Sequence, residues 1–306
     1  MKKPNSLIQL FILVIVFIYG CTPPADKFLK SGVEKAGKGD YNGAIQDYTE
    51  AIKLDTFMAE AYNNRGNAKY KLGNIKGAVK DYNKAIDRNP NNTGAYFNRG
   101  IAWNELGNPD MAIYDYTKAI GFEPGNAKAY YNRGNCKSKL KDLKGAIEDY
   151  NNAIELAPDY ADAYYNRGLA KCNLGDFKVA VGDFDKAISI NPTFFEAYSN
   201  RAAAKFSLGD FPGAIGDYNK TLELNPGYTV AYMNRGVARS KVNDFAGAVQ
   251  DFAKAIEQNP KDGRAYNNRG FARHETGDLK GACVDWNQAV KLGYASASGN
   301  ISMYCK

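Results

Sequence analysis

Histidine is all but missing. The 306 residues hold one, His274, so a catalytic histidine pair or a His-rich metal site is excluded. Cysteine is scarce as well, and the five thiols at Cys21, Cys136, Cys172, Cys283 and Cys305 lack the C-x₂-C spacing of a zinc site. Neither sign of charge dominates: 40 Lys and Arg stand against 33 Asp and Glu. The net +7 is spread along the chain, as on a solvated surface, and a nucleic-acid partner would need basic residues gathered on one face. No phosphate-cradling loop appears, nor a nucleophile beside a base, so no enzyme class and no cofactor is indicated. The longest apolar run, residues 7–19 with Gln9 inside it, is shorter than the ~20 residues that a spanning helix needs.

What the chain has is repetition. Asn-Arg-Gly recurs with its Arg at Arg65, Arg99, Arg133, Arg167, Arg235 and Arg269, and as Asn200-Arg201-Ala202 between them, at a constant step of 34 residues. A fixed period of that size marks stacked supersecondary units, which overrules the two-domain expectation from length. The repeats run 25–58, 59–92, 93–126, 127–160, 161–194, 195–228, 229–262 and 263–296. Each divides into two apolar-periodic halves around a turn such as Gly73-Asn74, Gly175-Asp176 or Gly209-Asp210. Gly ends the first helix in the left-handed conformation and Asp or Asn caps the second. Lys141 and Asn243 stand where that Gly is expected. Ala78, Tyr82, Ala85 and Ile86 share one helical face in the second half, and Pro90, Pro124, Pro158, Pro192, Pro226 and Pro260 stop it.

Tyr at the fourth position, Gly at the eighth, Ala at the twentieth, an aromatic at the twenty-fourth, Ala at the twenty-seventh and Pro at the thirty-second resemble the tetratricopeptide repeat over residues 25–296. The resemblance implies an all-α fold, a right-handed α-solenoid of about eight 34-residue helix-turn-helix repeats with a concave groove. Tyr294, Ala297, Ile301 and Tyr304 lie on one helical face, so 294–306 is expected to carry a capping helix.

At the other end, Lys2 and Lys3 precede the apolar run, and Ile18-Tyr19-Gly20-Cys21 closes it. This resembles a bacterial lipobox. It implies a signal peptide over 1–20, a lipid on Cys21, a short tether over 21–24, and a location in the bacterial cell envelope. Thr22 after the Cys points, by analogy with enterobacterial sorting, to the outer membrane facing the periplasm.

Asp recurs as regularly as Arg, at Asp47, Asp81, Asp115, Asp149, Asp183, Asp217, Asp251 and Asp285. The two rows are expected to form a structural ladder of partly buried ion pairs. Each Arg can meet the Asp of its own repeat or that of the preceding one. Groove positions of the resembled family fall here on Phe97, Ile101, Tyr131, Tyr165, Leu169, Phe206, Met233, Val237 and Phe271. The polar groups among them are Asn64, Asn67, Asn98, Lys128, Asn132, Asn135, Asn166 and Arg264. Rings supply buried area and amides pair with peptide groups, which suits a peptide or protein ligand. An exported chain would also let Cys283 and Cys305 join as a staple for the cap, four free thiols being the other outcome. The expected function is thus a non-enzymatic interaction scaffold on a lipid anchor. Direct binding of cell-wall glycan or peptide, and self-association, are its alternatives.

Overall fold

The computed structural model describes residues 24–306, so the expected signal peptide over 1–20 and the expected lipid site at Cys21 lie outside the described residues. The chain there is all helix and turn, in two compact units, one ending at Leu140 and the other beginning at Lys141.

The N-terminal unit holds α1 (Pro24–Gly37), α2 (Tyr41–Leu54), α3 (Ala59–Lys71), α4 (Ile75–Arg88), α5 (Thr93–Glu105), α6 (Pro109–Phe122) and α7 (Ala127–Lys139). Pro24 opens α1, and the rest of the tether expected over 21–24 lies outside the described residues. The proline has no N–H to lose at a helix start. The C-terminal unit holds α8 (Leu143–Leu156), α9 (Ala161–Asn173), α10 (Phe177–Ile190), α11 (Phe195–Ser207), α12 (Phe211–Leu224), α13 (Thr229–Lys241), α14 (Phe245–Gln258), α15 (Gly263–Glu275), α16 (Leu279–Lys291) and α17 (Ser298–Tyr304). In each unit every helix packs on the next, and the first helices of successive repeats also touch.

The turns inside the repeats follow the residues in them. Gly73, Gly107, Gly175, Gly209 and Gly277 take positive φ, and Asp40, Asn74, Asp142, Asp210, Asp244 and Asp278 accept a hydrogen bond from the backbone N–H three residues on. Asn108 and Asp176 cap without that bond. Lys141 at φ 67° and Asn243 at φ 61° hold the left-handed turn without glycine. For the lysine this places Cβ against the following carbonyl. The residue before each terminating Pro is extended, as Asn89 is with φ −137° and ψ 94°, because proline's Cδ crowds the α conformation there.

The core between paired helices is alanine faced by one aromatic. Tyr48, Tyr82, Tyr116, Tyr150, Phe184, Tyr218, Phe252 and Trp286 are all buried. Tyr48, Tyr82, Tyr116, Phe184, Phe252 and Trp286 lie against the glycine of the partner helix, where a Cβ built on Gly66 would meet Tyr82 Cε1 at 2.6 Å, and Tyr218 packs with Ala202 instead. Past α16 the cap is in two pieces, a 3₁₀ turn at Ala295–Ala297 and then α17, where one continuous helix was expected. Ala297 and Ile301 pack with Trp286 and Ala289, and Tyr304 stacks on Trp286 with ring centroids 5.8 Å apart. Cys283 and Cys305 are joined in a disulfide.

Candidate functional site

The arginine row is held on three sides. In Arg65 the Nε and Nη2 atoms donate to the two oxygens of Asp81 at 2.9 and 2.8 Å, a bidentate pair inside one repeat. Arg99–Asp115, Arg167–Asp183, Arg201–Asp217, Arg235–Asp251 and Arg269–Asp285 pair in the same way. Beneath each guanidinium lies the tyrosine three residues earlier, as Tyr62 does under Arg65 at 5.5 Å and Tyr164 under Arg167 at 5.3 Å.

The remaining nitrogen reaches the second helix of the preceding repeat, though never its ladder Asp. Arg99 Nη1 donates to Asn83 at 2.6 Å, Arg133 to Thr117 at 3.0 Å, Arg167 to Asn151 at 2.7 Å and Arg235 to Asn219 at 2.7 Å. One side chain therefore fixes a repeat internally and against its neighbour. Arg269 has no such bond among the described residues, because Ala253 occupies the acceptor's place. Asp47 does not join the arginine ladder. Its repeat has Ser31 in place of Arg, and it accepts from Ser31 at 2.6 Å and pairs with Lys35 at 2.7 Å.

A second cation escaped the sequence reading. Lys69, Lys171, Lys205, Arg239 and Arg273, at the eleventh position of their repeats, reach the same carboxylates from one helical turn beyond the Arg. The signal was present as a recurring base four residues after each ladder Arg. Trp103 interrupts it: among the described residues, fully buried Asp115 has Arg99 as its only cation, and the buried Trp103 Nε1–H has no partner. Burial pushes the Asp115 carboxyl above the ordinary carboxylate range despite Arg99's hydrogen bonds and charge. At Asp47 burial acts in the same direction, but the hydrogen bonds from Lys35 and Ser31 and the Lys35 charge outweigh it and lower the value.

The ring-and-amide residues sit on the first helices. In the N-terminal unit Asn64 and Asn67 lie on α3, Phe97, Asn98 and Ile101 on α5, and Lys128, Tyr131, Asn132 and Asn135 on α7. In the C-terminal unit Tyr165, Asn166 and Leu169 lie on α9, Phe206 on α11, Met233 and Val237 on α13, and Arg264 and Phe271 on α15. Side chains 35 residues apart link successive first helices: Asn98 donates to Asn63 at 3.2 Å, Lys139 to Asn104 at 2.9 Å, and Asn200 to the Tyr165 hydroxyl at 3.0 Å. Tyr70 bonds Glu105 in the same relation, and its hydroxyl is pushed up to about 12 by burial and by that carboxylate.

Several expected contact rings are already engaged. Phe97 packs on Tyr116, Tyr165 lies between Phe184 and Phe194, and Phe206 meets Phe211. Asn67 accepts from the buried Tyr82 hydroxyl at 2.9 Å. Arg264 is held by Asp262 through its Nε and Nη2 atoms. Phe271 meets Phe245 edge to face but remains 47% exposed. His274 is half-buried, its ring 4.3 Å from that of Tyr304.

No group of three metal-ligating side chains occurs among the described residues, and none of the described helices is long and apolar enough to cross a membrane. Profiles of the tetratricopeptide repeat match residues 59–92, 127–160, 161–194 and 195–228, and further TPR profiles match 36–73, 81–114 and 233–300. The chain belongs to the tetratricopeptide repeat family. Among solved structures, MamA protein is 30% identical over 55% of this chain and 92% of its own, with a TM-score of 0.53. YrrB, described as a TPR protein with an unusual peptide-binding site, is 24% identical over 60% of this chain and 94% of its own, with a TM-score of 0.54. The C-terminal part of a TPR repeat-containing protein from Cytophaga hutchinsonii is 21% identical over 74% and 93%, with a TM-score of 0.65. No curated protein sequence matches the chain. This is a TPR-type protein-interaction scaffold, in a family whose members are generally non-enzymatic.

Proposed function

We propose that the chain binds a peptide or protein partner on the ring-and-amide face of its first helices, without catalysis, while a lipid on Cys21 holds it to a bacterial envelope membrane. The observation that carries the first part is the chemistry of that face. Asn98, Asn132, Asn166 and Asn268 recur along it with rings beside them, and amides are self-complementary to a peptide backbone. A peptide-binding site in YrrB supports the same reading. The arginine row, by contrast, turns inward: its partners Asp81, Asp115, Asp183, Asp217, Asp251 and Asp285 are all buried, so it answers to folding.

The anchor rests on the pattern from Lys2 to Cys21, and the role in envelope assembly or secretion rests on the anchor. Two acyl signals make a stable attachment at ~0.8 kcal/mol per buried CH₂. Replacing Cys21 by Ala should abolish lipidation and leave an unprocessed chain, and normal maturation of that variant would sink the anchor.

For the face itself, a photocrosslinking amino acid is placed at Lys128, which is exposed on α7, and at Val179, which is exposed on α10. The first should give a discrete protein adduct in intact envelopes and the second none. Equal adducts from both positions would overturn the assignment.

A further inference from the structure

The C-terminal unit carries one hollow that its own repeats do not explain. It measures about 400 Å³ and lies between α13, the turn after it, and α15. Phe245 and Phe271 form its apolar wall, edge to face with centroids 6.2 Å apart, and the buried Phe252 closes it behind. The corresponding hollow one repeat earlier is about 220 Å³; there Ala203 stands in the place of Val237, and Phe206 packs on Phe211.

Three departures from the repeat converge on this place. Phe271 sits where the other repeats carry Val33, Asn67, Ile101, Asn135, Leu169, Ala203 and Val237. Asn243 replaces the turn glycine at φ 61°, and its amide lines the hollow with no hydrogen-bond partner among the described residues. Asn300, from the cap helix α17, enters from the far side and donates to Asn267 at 3.4 Å, leaving its own carbonyl free. A left-handed non-glycine residue is tolerated best by Asn, yet a glycine would have been the easier solution for the turn alone. No carboxylate lines the hollow, and Lys241 gives its rim a positive charge.

We infer that this hollow is the specificity pocket of the groove, taking one aromatic or large aliphatic side chain of a peptide whose flanking backbone is read by Asn243, Asn268 and Asn300. It rests on the proposed peptide-binding face. The edge-to-face pair of phenyl rings favours insertion of a third ring or a branched chain, since an edge and a face are both on offer. Phenyl rings carry no polar handle, so the amides alone must orient the ligand. Amides of both donor and acceptor type, with no acid among them, suit neutral peptide groups. The occupant is therefore a neutral or acidic peptide segment with one bulky apolar residue, not a basic one.

The test is selection of a random dodecapeptide phage library on the full chain, followed by affinity measurement with a synthetic copy of the most enriched peptide. Enriched peptides should share one Phe, Trp, Leu or Met. Phe271→Ser and Asn268→Ala should each weaken the synthetic peptide about tenfold or more, while Val179→Ser, exposed on α10 away from that face, leaves it unchanged. Phe271 is exposed, so its serine variant should retain the helical circular dichroism of the parent. Enriched peptides that lose affinity with Phe97→Ser and not with Phe271→Ser would leave the groove standing and remove this pocket. No enrichment over a control, with chitotetraose bound instead and lost in Phe271→Ser, would remove both the pocket as a peptide site and the peptide reading of the face.

Discussion

The two variants Arg99→Ala and Arg167→Ala look equivalent in the sequence, and the structure separates them. Arg167 leaves Asp183 with Lys171 at 2.8 Å, whereas Arg99 leaves the fully buried Asp115 with no cation among the described residues, Trp103 standing where the other repeats place a base. Removing one partner of a buried pair costs ~3–5 kcal/mol. The Arg167 variant should fall at the lower end and the Arg99 variant at the upper, a gap of about 2 kcal/mol. Each also loses its stacking on tyrosine, a matched ~0.5–1 kcal/mol that cancels in the comparison.

The pH dependence distinguishes the cause. Burial already raises the Asp115 carboxyl in the folded chain, so the folded state binds the extra proton. Its contribution is greatest below the unfolded value and is lost as pH rises through the folded one. Without Arg99 that effect deepens. The Arg99→Ala variant should therefore recover stability as pH falls from 7.5 toward 4.5, approaching the ~1.4 kcal/mol per pH unit of one proton. The assay is urea unfolding followed by circular dichroism at both pH values. Adding Lys171→Met to Arg167→Ala should reproduce the larger loss in the fifth repeat. Equal costs for Arg99→Ala and Arg167→Ala, or a stability of the Arg99 variant that rises with pH, would refute the account of the second cation.

Other outcomes follow from the packing. Cys305→Ser should cost about 3 kcal/mol, the loop-entropy scale for a closure of this length, and thiol counting on the denatured, unreduced chain should detect Cys136 and Cys172 but neither Cys283 nor Cys305. Gly168→Ala would set a Cβ 2.8 Å from Phe184 Cε1 and should destabilise by ~1–3 kcal/mol in thermal unfolding. Lys141→Gly relieves a left-handed lysine and should stabilise by about 1 kcal/mol, against a few tenths for Asn243→Gly.

Much of the fold was legible because its determinants are local and recur. The turn glycines, the prolines that close each repeat, and the alternation of alanine with one aromatic specify helix ends and the packed face directly. Pairing between side chains was harder. Spacing put Arg65 within reach of both Asp81 and Asp47, and only the three-dimensional stack shows that Nε and Nη2 take the Asp of their own repeat while Nη1 crosses to Thr49 of the preceding one. The basic eleventh position passed unnoticed because Lys on a helix reads as a solvated face until its carboxylate is seen to be buried. Among the groove candidates, Phe97, Tyr165 and Phe206 read as open rings in sequence, yet each leans on an aromatic elsewhere in its unit. The hollow at Phe271 depends on Asn243 and Asn300, which lie in a turn and in the cap, where a repeat alignment gives no reason to look.

The central claim is that the arginine row serves the fold and the ring-and-amide face serves the partner. Affinity for the selected peptide and unfolding midpoint, measured side by side for Arg167→Ala and Phe271→Ser, test it most directly. The account predicts a lowered midpoint with unchanged affinity for Arg167→Ala, and an unchanged midpoint with affinity about tenfold weaker for Phe271→Ser. An Arg167→Ala chain that keeps its midpoint and loses the peptide would contradict it.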